Sequence, residues 1–203
     1  MAELIGIFIF FFAVIDPIGT VPVFIAVTSH YSEKTKRKIA ITATLVSALV
    51  LIFFAVAGEV ILTLIEIPLP AFQISGGIVL FLFALSMIFG LSKPEQEIEM
   101  AEKSHQETAI FPLAVPSIAG PGPMLAAVLL TDNSRYNFMQ QFQTILIMLS
   151  VLVIVMILML AAARIHRIIG SGGASVISKV MGMILASVAA ESVLDGIKDY
   201  FLI

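Results

Sequence analysis

From Ile39 to Ile65 the chain carries one charged side chain, Glu59, and from Phe142 to Ala163 it carries none. Hydrocarbon runs of this length restrict the fold more than any other feature. A helix of roughly 20 apolar residues spans the bilayer core, whereas no water-soluble domain can cover so much carbon with polar surface. The rest of the chain agrees. It is 60% hydrophobic and 12% charged, where a soluble domain carries about 45–50% and about 25%. The solvent of this chain is largely lipid. Its net charge of −3 excludes nucleic acid as an expected partner. With no cysteine there is no disulfide, thiolate metal site or cysteine nucleophile.

Six spans are predicted: Leu4–Thr28, Ile39–Ile65, Pro70–Leu91, Ile110–Leu130, Phe142–Ala163 and Ala174–Phe201. The first is read as retained and not as a cleaved signal peptide, because no Lys or Arg precedes Lys34. Basic residues orient the set. Lys34, Lys36, Arg37, Lys38, Lys93, Lys103, Arg164 and Arg167 fall in the loops after spans one, three and five, against Arg135 and Lys198 in the others. Both termini are therefore expected on the non-cytoplasmic side.

A shift of about 104 residues lays span one on span four, two on five and three on six. Asp16-Pro17-Ile18-Gly19 then falls on Gly120-Pro121-Gly122-Pro123. The expected architecture is an all-α membrane protein of six helices in two inverted three-helix repeats, residues 1–91 and 109–203. A cytoplasmic linker, 92–108, joins them. Inverted repeats with interruptions at matching positions mark substrate sites in transporters.

Those interruptions carry the chemistry. Proline removes a helix hydrogen bond and clashes with the preceding turn. The runs Asp16-Pro17-Ile18-Gly19-Thr20-Val21-Pro22 and Pro112 to Pro123 should therefore open spans one and four near mid-membrane. Irregular backbone at that depth is tolerated only inside protein or beside a water-filled cavity. Asp16 can be a simple cap of the following half-helix, with Pro17 at its first position. Yet a kink needs no carboxylate, and an ionisable group at mid-depth is costly enough to suggest a site. Half-helix N-termini favour a carboxylate, and Asp16 could offset an ammonium group or carry a proton. A small zwitterion fits, lined by Asp16, Gly19, Thr20, Ser117, Gly120 and Gly122.

The stretches F-A-V-I-D-P-I-G-T-V-P-V-F and P-L-A-V-P-S-I-A-G-P-G-P-M, with S-G-G-I-V-L-F in span three, resemble the signatures of the MarC family of bacterial inner-membrane proteins. The resemblance covers essentially the whole chain. It implies kinship with the LysE superfamily of amino-acid exporters and a substrate such as glycine or alanine. It also implicates Asp16, Pro17, Gly19 and Pro22 together with Pro116, Ala119, Gly120, Pro121 and Gly122. Thr20 stands where the family often has Asn, which leaves substrate preference open.

Other polar residues have plainer readings. Glu59, Glu191 and Asp195 read as interface groups, Glu191 alternatively as a gate or proton relay. Gln73 and Ser75 read as interhelical hydrogen-bonders that could also line a path. Gly182, Ala186 and Ala190 form a small-residue stripe for close packing within the chain or between copies. Gly170, Gly172 and Gly173 suggest a loop before span six. His30, His105 and His166 fall in separate loops, so no metal, cofactor or enzymatic constellation is expected. The expected function is secondary transport of a small neutral amino acid. Export of other small or drug-like solutes, a passive channel and a non-transporting scaffold are the alternatives.

Overall fold

Hydrocarbon offers no partner to a bare amide, so apolar runs of this length satisfy their backbone as helices. The computed structural model describes residues 2–89, 109–133 and 135–201, and among them there is no strand. The helices are α1 (Ala2–Ile15), α2 (Pro17–Thr28), α3 (Glu33–Leu64), α4 (Leu69–Phe89), the irregular α5 (Ala109–Ile118), α6 (Pro121–Leu129), α7 (Phe138–Leu160) and α8 (Ala162–Phe201). Among the described residues five stretches are long and apolar enough to cross a membrane, α1 with α2 counting as one. The α5–α6 pair, bent by 56°, makes a sixth if it is a single span. The expected linker, with Lys93, Lys103 and His105, lies outside the described residues.

Helix starts follow caps more than hydropathy. Ser32 accepts the Thr35 N–H at 3.3 Å, so α3 begins six residues before the apolar run. Asn137 and Gln140 form a reciprocal capping box for α7. The expected loop at Gly170, Gly172 and Gly173 is absent, and α8 is helical through it. Glycine costs a helix interior up to about 1 kcal/mol relative to alanine but does not forbid it, and the later part of this 40-residue helix packs on α4.

α4 and α8 form the most extensive pair and run antiparallel. A Cβ added to Gly196 would meet Ile74, one on Gly77 would meet Val193 and Ala189, and one on Gly182 would meet Met87 and Ala84. The buried stripe of α8 is Gly182, Leu185, Ala189, Ser192 and Gly196, facing Gln73, Gly77, Leu80, Ala84 and Met87 of α4. This alternating three- and four-residue step replaces the expected Gly182–Ala186–Ala190 stripe. Ala186 is only half-buried and Ala190 is exposed.

The remaining contacts are crossed. α1 and α2 pack on α7 and α2 on α8, while α5 and α6 pack on α3 and α6 on α4; α3 also meets α7. The outward surface is carbon-rich, with Leu45, Leu49, Val56 and Leu82 each more than half exposed, as lipid contact requires.

Gly77→Val places a branched side chain against Val193 Cγ2, 2.8 Å from the added Cβ, and against the Ala189 carbonyl at 3.1 Å. It should destabilise the protein by about 1–3 kcal/mol. Gly172→Ala, whose added Cβ meets nothing within 4 Å, should stabilise α8 slightly. Thermal unfolding in detergent followed by circular dichroism checks both.

Candidate functional site

At the junction of α1 and α2 the chain makes one left-handed step. Asp16 has φ 52° and ψ 67°, a conformation Asp and Asn tolerate better than most residues. Its amide still donates to Phe12 O at 3.1 Å, closing α1, and its carbonyl accepts the Thr20 N–H at 3.2 Å, opening α2. Side-chain Oδ1 accepts the Gly19 N–H at 3.0 Å. A Cβ at Gly19 would overlap the Asp16 carboxylate, so this glycine makes room for the cap. The whole turn is buried, with Asp16 2% exposed.

The α5–α6 junction is built differently. Phe111 and Val115, each followed by proline, leave helical geometry at φ −125°, ψ 128° and φ −132°, ψ 122°, the extended region that a following proline imposes. Gly120 precedes α6 with no side-chain cap. A Cβ there would lie 2.6 Å from the Pro116 carbonyl oxygen, so the tight return requires glycine. Ala119 N–H closes the irregular turn on Ala114 O at 2.8 Å.

These junctions touch. Thr20 Oγ1 donates to Asp16 O at 3.1 Å and lies 3.4 Å from Ser117 Oγ. Since Thr20 has one hydroxyl proton, Ser117 is the donor of the second contact. A Cβ on Gly122 would meet Leu80 at 2.8 Å and Val14 at 3.6 Å, which brings α1, α4 and α6 together beside the same turn. Ser47 of α3 donates to Ala43 O at 2.8 Å and reaches Ala114 O at 3.4 Å, holding α5 from the other side.

Proline also thins the donors at both half-helix starts. Pro17, Pro121 and Pro123 have no N–H, and Asp16 takes that of Gly19. The first-turn amides left by this arithmetic are Ile18 N–H on α2 and Gly122 N–H on α6.

Asp16, Pro17, Gly19, Thr20, Ser117, Ala119, Gly120 and Gly122 are buried in this region; Pro22 and Pro116 are half-buried and Pro121 is exposed. Gln73 lies in the buried stripe of α4, and its Oε1 has no hydrogen-bond partner among the described residues. Ser75 is exposed and donates to its own helix at Phe72 O. Glu191 is exposed on α8.

Sequence reasoning missed a polar clasp at the far end of α6. Glu59, read as an interface group, accepts the Asn133 backbone N–H at 2.8 Å and its side-chain amide at 2.7 Å. Arg135 pairs with buried Asp132 at 3.4 Å and with Asp199 near the end of α8. Gln141 donates to Asn133 Oδ1 at 3.0 Å. Thr131 Oγ1 lies 2.7 Å from both Ala55 O and Ala127 O, and its single hydroxyl proton is shared between the two carbonyls. The signal was Thr131-Asp132-Asn133, a polar triplet directly after a span, but the α3 partners of Thr131 and Asn133 are 76 and 74 residues away in sequence. Among the described residues no cluster of three or more metal-ligating side chains occurs.

Apolar helices with an apolar exterior and a buried polar junction define a multi-pass α-helical membrane protein. The model of the MarC family, described as integral membrane proteins, matches residues 1–201, and the chain belongs to that family. Among similar proteins are the "UPF0056 inner membrane protein YhgN" of Escherichia coli K12, 31% identical with 98% of each chain covered, and a "UPF0056 membrane protein" of Archaeoglobus fulgidus, 32% identical with 97% of this chain and 96% of the relative covered. A protein of the same name from Buchnera aphidicola of Baizongia pistaciae is 30% identical over the full length of both. No solved structure matches.

Because the chain has no cysteine, the junction can be tested by cross-linking. Thr20→Cys with Ser117→Cys should form an intramolecular disulfide under mild oxidation, seen as a shift in gel mobility. Thr20→Cys with Thr131→Cys should not.

Proposed function

We propose that the protein is a secondary transporter of a small neutral amino acid in the cell inner membrane, with the substrate held where the α1–α2 and α5–α6 junctions meet. The observation that carries this reading is the Thr20–Ser117 contact beside buried Asp16. A packing kink would be satisfied by carbon, yet here a carboxylate and two hydroxyls occupy the meeting point of two interrupted helices. Ile18 N–H and Gly122 N–H offer one donor from each half, suited to the two oxygens of a carboxylate. Asp16 suits the substrate's ammonium group or a coupled proton.

The crossed helix contacts support an inverted repeat. The first span packs on α7 and α8 as the fourth packs on α3 and α4, and the antiparallel α4–α8 pair relates spans three and six. Rocking of two such halves would expose the junction alternately. A cavity of about 120 Å³ lies between the end of α2, the start of α3 and the α7–α8 junction, lined by Phe24, Thr28, Glu33, Lys36 and Met159 among others. Phe24 and Thr28 follow Thr20 on one face of α2, which supports reading this cavity as the approach to the site from the basic end. By the positive-inside rule that end is cytoplasmic and both termini lie outside. The name of the Escherichia coli relative supports the choice of membrane.

Asn keeps both the left-handed backbone and the cap at position 16, so Asp16→Asn removes charge without removing the turn. In proteoliposomes, wild type should show saturable glycine or alanine flux. Asp16→Asn should lower it by roughly tenfold or more, equivalent to about 1.4 kcal/mol of lost interaction, with the helical signal and thermal unfolding unchanged. Absence of any amino-acid flux with folded wild-type protein overturns the reading, and non-saturating flux of many solutes identifies a channel instead.

A further inference from the structure

We propose that the first turns of α3 form a binding site for the phosphate headgroup of an anionic phospholipid, independent of the transport site. An open cavity of about 480 Å³ is lined by Lys34, Thr35, Arg37, Lys38, Ile41 and Thr42. Four cations crowd Lys34–Lys38, yet among the described residues only Lys36 has an acidic partner, Glu33 at 2.9 Å. Lys34, Arg37 and Lys38 are all exposed and surround the cavity as three positive charges with no acidic partner among the described residues. The N-terminal end of a 32-residue helix adds its own partial positive charge. Like charges this close repel one another, and an anion seated among them relieves the repulsion.

The hydrocarbon beside the cavity selects the kind of anion. Ile41 lines the cavity itself. The exposed face of α3 then continues through Leu45, Leu49, Ile52 and Val56, each one turn beyond the last on the line that starts at Lys34 and Lys38. A soluble polyanion, such as a nucleic acid or an acidic peptide, would satisfy the charges but leave that stripe bare. A phospholipid satisfies both, its phosphate among Lys34, Arg37 and Lys38 and an acyl chain along the stripe. The threonine hydroxyls at 35 and 42 can donate to phosphate oxygens. Basic pockets at the hydrocarbon boundary bind anionic headgroups in this way.

The test uses full-length protein in a neutral detergent and native mass spectrometry to count retained lipid. Phosphatidylglycerol should be retained roughly tenfold more than phosphatidylcholine of the same chains, the preference expected of several cations acting on one headgroup. The triple variant Lys34→Gln, Arg37→Gln, Lys38→Gln should abolish that preference. A control, Arg164→Gln with Lys179→Gln, removes exposed cations elsewhere and should keep it. Should the triple variant not fold, Arg37→Gln and Lys38→Gln singly should each weaken retention, while Lys34→Arg with Lys38→Arg should preserve it. Equal retention of both lipids overturns the proposal, as does equal loss in the control variant, which would indicate net charge alone. Displacement of phosphatidylglycerol by millimolar inorganic phosphate also overturns it, because the site would then be one for free phosphate.

Discussion

The structure depends on how one turn of backbone is satisfied away from water. Where α1 gives way to α2, the Asp16 amide and carbonyl serve the ends of two helices while its carboxylate takes the Gly19 N–H. The first two are bonds a continuous helix would also make, and the carboxylate replaces one that the break removes. The left-handed conformation this requires is uncommon outside glycine, and Asp is among the few side chains that can occupy it and cap at once. Thr20, held by the Asp16 carbonyl, then presents its oxygen to Ser117. The two junctions thus meet at one polar contact.

The second junction reaches a similar end by other means. No side chain caps α6; glycine at 120 permits the close return over Pro116, and prolines at 121 and 123 remove donors that would otherwise need partners. The bend there is 56°, whereas α1 and α2 still form one continuous apolar stretch. The two junctions therefore differ in chemistry as well as in bend. Each solves its local hydrogen-bonding problem with the residues it has. The clasp of Glu59, Asn133, Asp132, Arg135 and Asp199 holds the end of the bundle that lies beyond α6. The end at α2 and α3 keeps a cavity.

Much of this was legible in the sequence because hydrophobic length and proline act locally. Apolar runs long enough to cross a bilayer must be helical, so each helical segment could be located, although α3 starts six residues and α8 twelve residues before the predicted span. Aspartate, glycine and proline in such runs must disturb them, so the two interruptions could be named. Helix ends were misjudged where polar caps at Ser32 and Asn137 carried α3 and α7 past the apolar segment. The glycines of α8 were misread because a breaker in a peptide is tolerated in a helix held by its neighbours.

What the sequence by itself determined was a lipid-dissolved helical chain, its family, and the residues where the backbone must depart from a helix. Tertiary structure alone decided which of these meet. That Thr20 faces Ser117 across 97 positions, that Glu59 answers Asn133, and that the α4–α8 seam steps Gly182–Leu185–Ala189–Ser192–Gly196 all follow from helix packing. Periodicity in one helix identifies a small-residue face but not its partner, because van der Waals contact and hydrogen bonding in hydrocarbon depend on the shape of both surfaces.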